Sequence, residues 1–298
     1  MSRHIWLSHV ALLVTAIVYS LNYFVAQDLF EQMGPLGVVA LRCVAGTLFF
    51  TVYNAWFIRE KIQDRRDYLR LALAGVLGVA INQLFFLWGL SKTFAVNAAV
   101  LMPITPVFVF LVAWIAGAER LTRLKTVGML LAFVGAVWLS RGDRIIQVTP
   151  ETITGDILIV LNALSYGSYL VYVRPLVRKY HAFTILQWVF IAGTLINLPI
   201  GLPELLQTDW AAISAVNYGR LVFILLLVTI GAYALNGYAL THLPATVVGV
   251  YIYLQPIMAA ILSVTWRGSF MSGTRLACIL LILTGVFAVT WRGKENPA

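Results

Sequence analysis

Val100–Phe108 reads VLMPITPVF, and 150 positions later Val250–Met258 reads VYIYLQPIM. Each stretch carries a proline, Pro106 or Pro256, inside an uncharged run, Val96 to Ile115 in one case and Ala245 to Val264 in the other. A run of about twenty residues spans roughly 30 Å as helix, the thickness of a bilayer's hydrocarbon. A proline inside it removes a backbone donor and leaves the carbonyl four residues back, Met102 or Ile252, without its usual partner. Pro106 and Pro256 are therefore expected to bend two membrane helices. Tyr251 and Gln255, four apart, share a face, whereas Tyr253 lies about 200° away from Tyr251 and groups with Gly249 and Pro256.

Working outward, eight more apolar runs follow the same rule: Ile5 to Ala26, Pro35 to Ile58, Leu69 to Leu90, Thr126 to Leu139, Gly155 to Val173, Phe183 to Ile200, Leu221 to Leu240 and Leu276 to Trp291. The fifth along the chain, Thr126 to Leu139, is the shortest. The first is too long for a signal peptide, and its far end, Gln27 to Phe30, offers no small-residue cleavage site. The whole chain of 298 residues is 61% hydrophobic and 11% charged, against roughly 25% charged in a soluble domain. Continuous runs exclude a barrel, whose strands alternate in segments of about ten residues. The expected fold is an all-α integral membrane protein of ten transmembrane helices. Cys43 and Cys278 fall inside spans and match no metal or redox spacing, so both read as buried thiols.

The opening match extends along the chain. A shift of 150 superposes Leu90 on Leu240, Ala95 on Ala245, Leu130 and Leu131 on Leu280 and Leu281, and Gly135 on Gly285. A shift of 147 places Tyr19 on Tyr166, Leu29 on Leu176, and Ala45-Gly46-Thr47 on Ala192-Gly193-Thr194. The chain thus divides into residues 1–147 and 148–298, each with five spans. Five is odd, so the second copy enters the membrane from the opposite side, the arrangement of inverted-repeat transporters.

The net charge of +9 raises nucleic acid as a partner, but the basic residues punctuate the spans and form no aromatic-interleaved patch. With the N-terminus cytoplasmic, fourteen Lys and Arg fall inside and six outside, with Arg42 within a span. This places both termini in the cytoplasm.

Two segments carry a family resemblance. YSLNYFVAQDLFEQMGPLGVVALRCVAGTLFF, from Tyr19, has a small-residue helix end with Asn and Phe, an amphipathic connector, a proline and an apolar helix with an arginine. GLSKTFAVNAAVLMPITPVFVFLVAWIAGAERLTRLKTVGMLLAFVGAVWL, from Gly89, has a short connection, a mid-helix proline, a glutamate (Glu119) and a last helix with glycine. Both resemble the EamA type of the drug/metabolite transporter superfamily, and the second half repeats the pattern with Ser269 at the position of Glu119. The resemblance implies ten helices, alternating access and often export, from a bacterial inner membrane, and is silent on substrate.

Helical phase supplies candidate site residues independently. Thr15, Tyr19, Asn22 and Tyr23 share one face of the first span, and Asn162, Tyr166 and Tyr169 stand at matching positions in the sixth. Asn82, Gln83 and Phe86 in the third span correspond to Ala232, Tyr233 and Asn236 in the eighth, and Tyr251 and Gln255 join them from the ninth. Amides facing lipid would go unsatisfied at a cost of several kcal/mol. The stripes are read as a shared cavity for a small amphipathic solute, with interhelical glue as the plainer alternative.

Arg42, the one cation well inside a span, either pairs with Asp28 or Glu31 as a gate or contacts an anionic substrate group. Every Asp and Glu lies in a loop or near a span end, which favours uncoupled transport or exchange over a carboxylate proton relay. No phosphate loop, no His-Glu-x-x-His helix and no mid-membrane acid pair is present, so neither an enzyme nor a bound cofactor or metal is expected. The expected partners are a small-molecule substrate and the bilayer; a non-transporting scaffold or channel subunit is the reading from a different class.

Overall fold

The structure is a computed structural model, which describes residues 3–30, 32–120, 122–141, 149–267 and 273–290. The helices follow the apolar runs. They are α1 (Arg3–Leu29), α2 (Pro35–Ile58), α3 (Arg65–Lys92), α5 (Arg123–Arg141), α6 (Pro150–Tyr172), α7 (Ala182–Gln207), α8 (Ala215–His242) and α10 (Gly273–Thr290), with two broken helices between them. In α4, Ala95–Leu101 passes through a 3-10 turn at Met102–Ile104 into Thr105–Ile115; in α9, Ala245–Val250 passes through Tyr251–Tyr253 into Leu254–Arg267. Among the described residues nine spans are long and apolar enough to cross a membrane, and α9 contributes a shorter apolar helix, Ala245–Met258. Large apolar side chains such as Trp56, Ile115, Leu195, Leu206 and Phe287 remain exposed on the outer surface, as a hydrocarbon solvent requires.

Several helices outrun their apolar runs, two of them instructively. The fifth begins at Arg123 and ends at Arg141, because long basic side chains can bury their stems while the charge stays at the headgroups. The seventh continues to Gln207 through Pro199 and Pro203, since membrane helices tolerate proline where neighbouring groups take up the freed carbonyls.

The halves are related by an internal two-fold operation that inverts direction. Helices α2 and α7 run antiparallel: Gly37 meets Leu205, Phe50 stacks near Phe190 with ring centroids 5.5 Å apart, and the Asn197 Nδ2 donates to Cys43 Sγ at 3.5 Å. Under the shift of 147, Cys43 is the equivalent of Phe190 and Asn197 of Phe50, so these two contacts are one contact seen twice, as an isologous interface demands. Thr47 and Thr194, equivalents of each other, share a hydroxyl hydrogen bond of 2.8 Å on the axis. Helices α5 and α10 repeat the rule. Gly128 abuts Gly285 while Gly135 abuts Cys278, and the shift of 150 maps Gly128 onto Cys278 and Gly135 onto Gly285. Glycine is needed at these crossings because backbones touch there.

Helix α3 is π-helical over Val76–Ile81 and α8 over Ile224–Gly231, again at matching positions. A π turn disturbs the regular ladder and frees carbonyls, and neighbours take them up. Ser165 Oγ donates to Leu77 O at 2.7 Å, Tyr233 Oη to Gly78 O at 2.9 Å, Asn197 Nδ2 to Ala80 O at 3.2 Å and Asn162 Nδ2 to Asn82 O at 2.6 Å. Four side chains from α6, α7 and α8 thus hold one irregular stretch of α3 at the centre of the bundle.

Candidate functional site

Beside that stretch lies a cavity of about 570 Å³ between the halves. Helix α1 contributes Tyr19 and Asn22, α2 Arg42, α3 Asn82, Gln83 and Phe86, α4 Met102, α6 Asn162 and Tyr166, α8 Val228 and Tyr233, and α9 Ile252 and Gln255. The cavity's polar groups are deeply buried: Asn22 and Arg42 are 4% exposed, Asn162 2% and Gln83 1%.

Arg42 Nε donates to Thr229 Oγ1 at 2.9 Å, and that hydroxyl donates to Ile224 O at 2.9 Å, in the π-helical part of α8. Among the described residues no carboxylate pairs with Arg42. Gln83 Nε2 approaches Tyr233 Oη at 3.4 Å, while Gln83 Oε1, Asn22 Oδ1 and Asn162 Oδ1 are buried without a hydrogen-bond partner among the described residues.

A second chamber, of about 260 Å³, adjoins the first on the side where α1 begins. Tyr19, Tyr166, Ile252 and Gln255 line both and so form the partition, where Asn236 Nδ2 donates to Tyr166 Oη at 3.1 Å and to Tyr19 Oη at 3.5 Å. Thr15, Asn236 and Tyr251 line the second chamber only, and His9 Nδ1 lies 2.7 Å from Tyr251 Oη.

Of the residues picked from helical phase, Tyr19, Asn22, Gln83, Phe86, Asn162, Tyr166, Tyr233 and Gln255 line the main cavity, and Asn236 and Tyr251 the second chamber. Tyr169 lines neither. It is 4% exposed, its ring packs over Gly78, and it stacks on Tyr166 with centroids 6.0 Å apart. The side chains of Tyr23 and Glu31 lie outside the described residues. Asp28 and Arg42 are not paired with each other: Asp28 bonds Arg220 at 2.6 Å at the exposed end of α8, and Arg42 turns inward to Thr229. The burial of Arg42 in a polar cavity, and the nearer cation on α8, account for the difference. Asn82, on the stripe of the third span, lines the main cavity too; the phase reading does not reach Met102, Val228 and Ile252, although Met102 and Ile252 carry a signal, being the equivalent positions four residues before the two prolines.

At those prolines the helices do break, each through a 3-10 turn, but the carbonyl expected to lack a partner in α4 has one, because Thr105 Oγ1 donates to Met102 O at 2.8 Å. Tyr253 is fully buried with Phe110, Met129, Ile257 and Ile282, a helix contact rather than a cavity wall.

Charged side chains tie the ends of the bundle where α1 begins. Glu119 accepts from the Thr246 hydroxyl and from Thr246 N at 3.3 Å, at the first turn of α9, and lies 3.8 Å from Arg174. Asp67, fully buried, accepts from Lys179 and from Tyr180 Oη at 2.8 Å. The bond to Asp67 holds the Lys179 ammonium above its ordinary pKa, against an opposing desolvation effect. Among the described residues no group of three or more His, Cys, Asp or Glu is placed to hold a metal.

An all-helical, two-repeat membrane bundle enclosing a polar cavity at the seam defines a multi-pass membrane transporter. The sequence profile of the EamA-like transporter family matches this chain twice, over residues 6–141 and 153–291, and the chain belongs to that family. It is similar to an uncharacterized transporter of Archaeoglobus fulgidus, 24% identical over 85% of this chain and 87% of that protein. A probable terminal-alkyne amino-acid exporter of Streptantibioticus cattleyicolor is 23% identical over 100% of this chain and 97% of its own length. A WAT1-related protein of Arabidopsis thaliana is 23% identical over 94% and 87%. A solved crystal structure superposes with a TM-score of 0.75 over 97% of this chain and 98% of the other, at 18% identity, a likeness of fold.

Proposed function

We propose that this protein moves a small amphipathic metabolite such as an amino acid across a bacterial inner membrane, by export or exchange, with both termini in the cytoplasm. The observation that carries this reading is the cavity lined from seven spans of both halves, with a buried cation, amides and tyrosines interspersed with the apolar Phe86, Met102, Val228 and Ile252. The amino-acid exporter named among its relatives supports the solute class. Transport proceeds by rocking of the two inverted repeats about the site, with Tyr19, Tyr166 and Gln255 as the partition the solute crosses. Among the described residues no Asp or Glu lines either chamber, which supports movement down the solute gradient or in exchange rather than a carboxylate proton relay. His9, against Tyr251 beside the second chamber, is the feature that favours the proton-coupled alternative.

Counterflow in proteoliposomes tests the reading. A carrier accelerates uptake of labelled solute when unlabelled solute fills the lumen. A channel or scaffold gives no acceleration, and uptake driven by a pH gradient alone would replace the uncoupled mechanism with the coupled one.

A further inference from the structure

We infer that the main cavity recognises both charges of a zwitterionic α-amino acid with an apolar side chain: Arg42 takes the carboxylate, and the amide oxygens of Asn22, Gln83 and Asn162 take the ammonium. The inference rests on the transport reading and specifies what the site selects.

Two sets of groups carry it. Arg42 has five N–H donors in a fixed fork that matches a carboxylate, and among the described residues a single one is used, on the neutral Thr229 hydroxyl. Thr229 is anchored to Ile224 O, so the guanidinium is positioned while the rest of its fork is unspent. An unpaired buried charge costs several kcal/mol, and an anion entering the cavity removes that cost.

The second set consists of acceptors. Asn162 is oriented by its own donor bond to Asn82 O, and Gln83 by its approach to Tyr233, and in each the carbonyl oxygen is the atom left over. Asn22 Oδ1 is a third buried oxygen in the same state. Each such oxygen costs about 1–3 kcal/mol when unsatisfied, and an ammonium brings three donors.

Other occupants satisfy one set and not the other. A carboxylic acid without an amine leaves the amide oxygens bare; an amine without a carboxylate leaves Arg42 bare and adds a second positive charge. A neutral sugar supplies donors but no counter-charge, and a dianion such as phosphate meets one cation where it needs two. The apolar lining residues Phe86, Met102, Val228 and Ile252 then supply the surface for the side chain.

The test uses the intact, detergent-purified protein and four probes: L-leucine, L-phenylalanine, L-leucinamide, which lacks the carboxylate, and 4-methylpentanoate, which lacks the amine. Titration calorimetry on the unmodified protein is expected to show L-leucine or L-phenylalanine binding, and leucinamide and 4-methylpentanoate each weaker by more than about tenfold, the equivalent of one unsatisfied buried group. Arg42→Gln is expected to remove the preference for leucine over leucinamide, and Asn162→Leu to narrow the preference for leucine over 4-methylpentanoate. Either analogue binding as tightly as leucine to the unmodified protein overturns the assignment, with no reliance on a variant that folds. If none of the four binds while counterflow succeeds with another solute, transport stands and the zwitterion site does not. If counterflow fails for every solute, the transport reading itself falls.

Discussion

Replacing Gly285 by alanine tests the helix seam on which the two-fold arrangement rests. A Cβ at Gly285 would lie 2.6 Å from Ala132 N and 2.7 Å from Ala132 Cβ, with Gly128 O nearer still. Ordinary contact begins at 3.4 Å, so α5 and α10 must part by at least 3.4 − 2.6 = 0.8 Å, and by more at Gly128 O, because the opposing atoms are mostly backbone and cannot swing aside. A radial gap of about 0.5–1 Å forfeits roughly a quarter to a half of the dispersion well for every atom pair it opens. Overpacking of this kind costs about 1–3 kcal/mol. Alanine recovers up to about 1 kcal/mol of helix propensity over glycine, which leaves a net loss of about 0–2 kcal/mol. Gly219, on helix α8, has nothing within 4 Å of its would-be Cβ, so the same substitution there retains only the propensity gain. Thermal unfolding in detergent, followed by tryptophan fluorescence, is therefore expected to show opposite signs: a lower midpoint for Gly285→Ala and an equal or higher one for Gly219→Ala. A midpoint raised by Gly285→Ala would mean that the α5–α10 backbones do not touch, and the reciprocal glycine contacts would lose their meaning.

A double-mutant cycle on Thr47→Val and Thr194→Val should return a coupling of about 0.6 kcal/mol, the average for a polar pair between membrane helices; zero coupling removes their bond from the axis. Thr149→Ala removes a capping box at the start of α6, where the Thr149 and Thr152 side chains bond each other's backbone, and should cost about 1 kcal/mol in unfolding experiments. Because Lys179 is raised in the folded protein, its contribution is fully present below the unfolded lysine value near 10.4 and is lost as pH climbs through the folded value. Lys179→Gln should flatten that alkaline limb in a pH series of melting midpoints, and an unchanged limb places its origin elsewhere. Tyr19→Ala, Asn22→Ala and Gln255→Ala should each slow counterflow while the protein remains monodisperse; three variants at full rate would reduce the stripe to helix packing.

The architecture was legible because its signal is one-dimensional. Runs without charge give the spans, and the paired positions of Pro106 and Pro256, or of Thr47 and Thr194, give the repeat. Phase also found much of the cavity, since an amide such as Asn162 or Gln83 has nowhere else to go in hydrocarbon. Phase could not tell a cavity wall from the layer behind it. Tyr169 is on the same stripe as Tyr166, yet its ring is captured by the notch that Gly78 leaves on α3. The π turns were invisible for a similar reason. Val76–Ile81 is a plain apolar hexapeptide, and what makes it irregular is the set of hydroxyl and amide partners waiting on α6, α7 and α8, which no local pattern announces. Of the two readings of Arg42, the pair with Asp28 is not formed, because the competing partners, Thr229 for the arginine and Arg220 for the aspartate, both sit on α8, some 190 residues away.

The symmetry of the partition bears on how such a molecule can move a solute. Tyr19 and Tyr166 are equivalents under the repeat, both touch both chambers, and both accept from the one Asn236 amide. Gln83 and Tyr233, also equivalents, approach each other nearby. The tyrosines of the partition are thus a pair that the two-fold operation exchanges, while Ile252 and Gln255 come from the second half alone, and the chambers it divides are unequal, about 570 and 260 Å³. A conformation in which the halves trade shapes would keep Tyr19 and Tyr166 at the partition, replace Ile252 and Gln255 there by their equivalents Met102 and Thr105, and transfer the larger volume to the side where α1 begins. The charged ties at that end, Glu119 to Thr246 and Asp67 to Lys179, would have to open in the exchange. Under the proposed transport cycle these ties, rather than the cavity residues, set the balance between the two states, so Glu119→Gln should shift accessibility of a cysteine placed at Thr15 while leaving solute affinity within about twofold; accessibility unchanged by that substitution would exclude Glu119 as a latch.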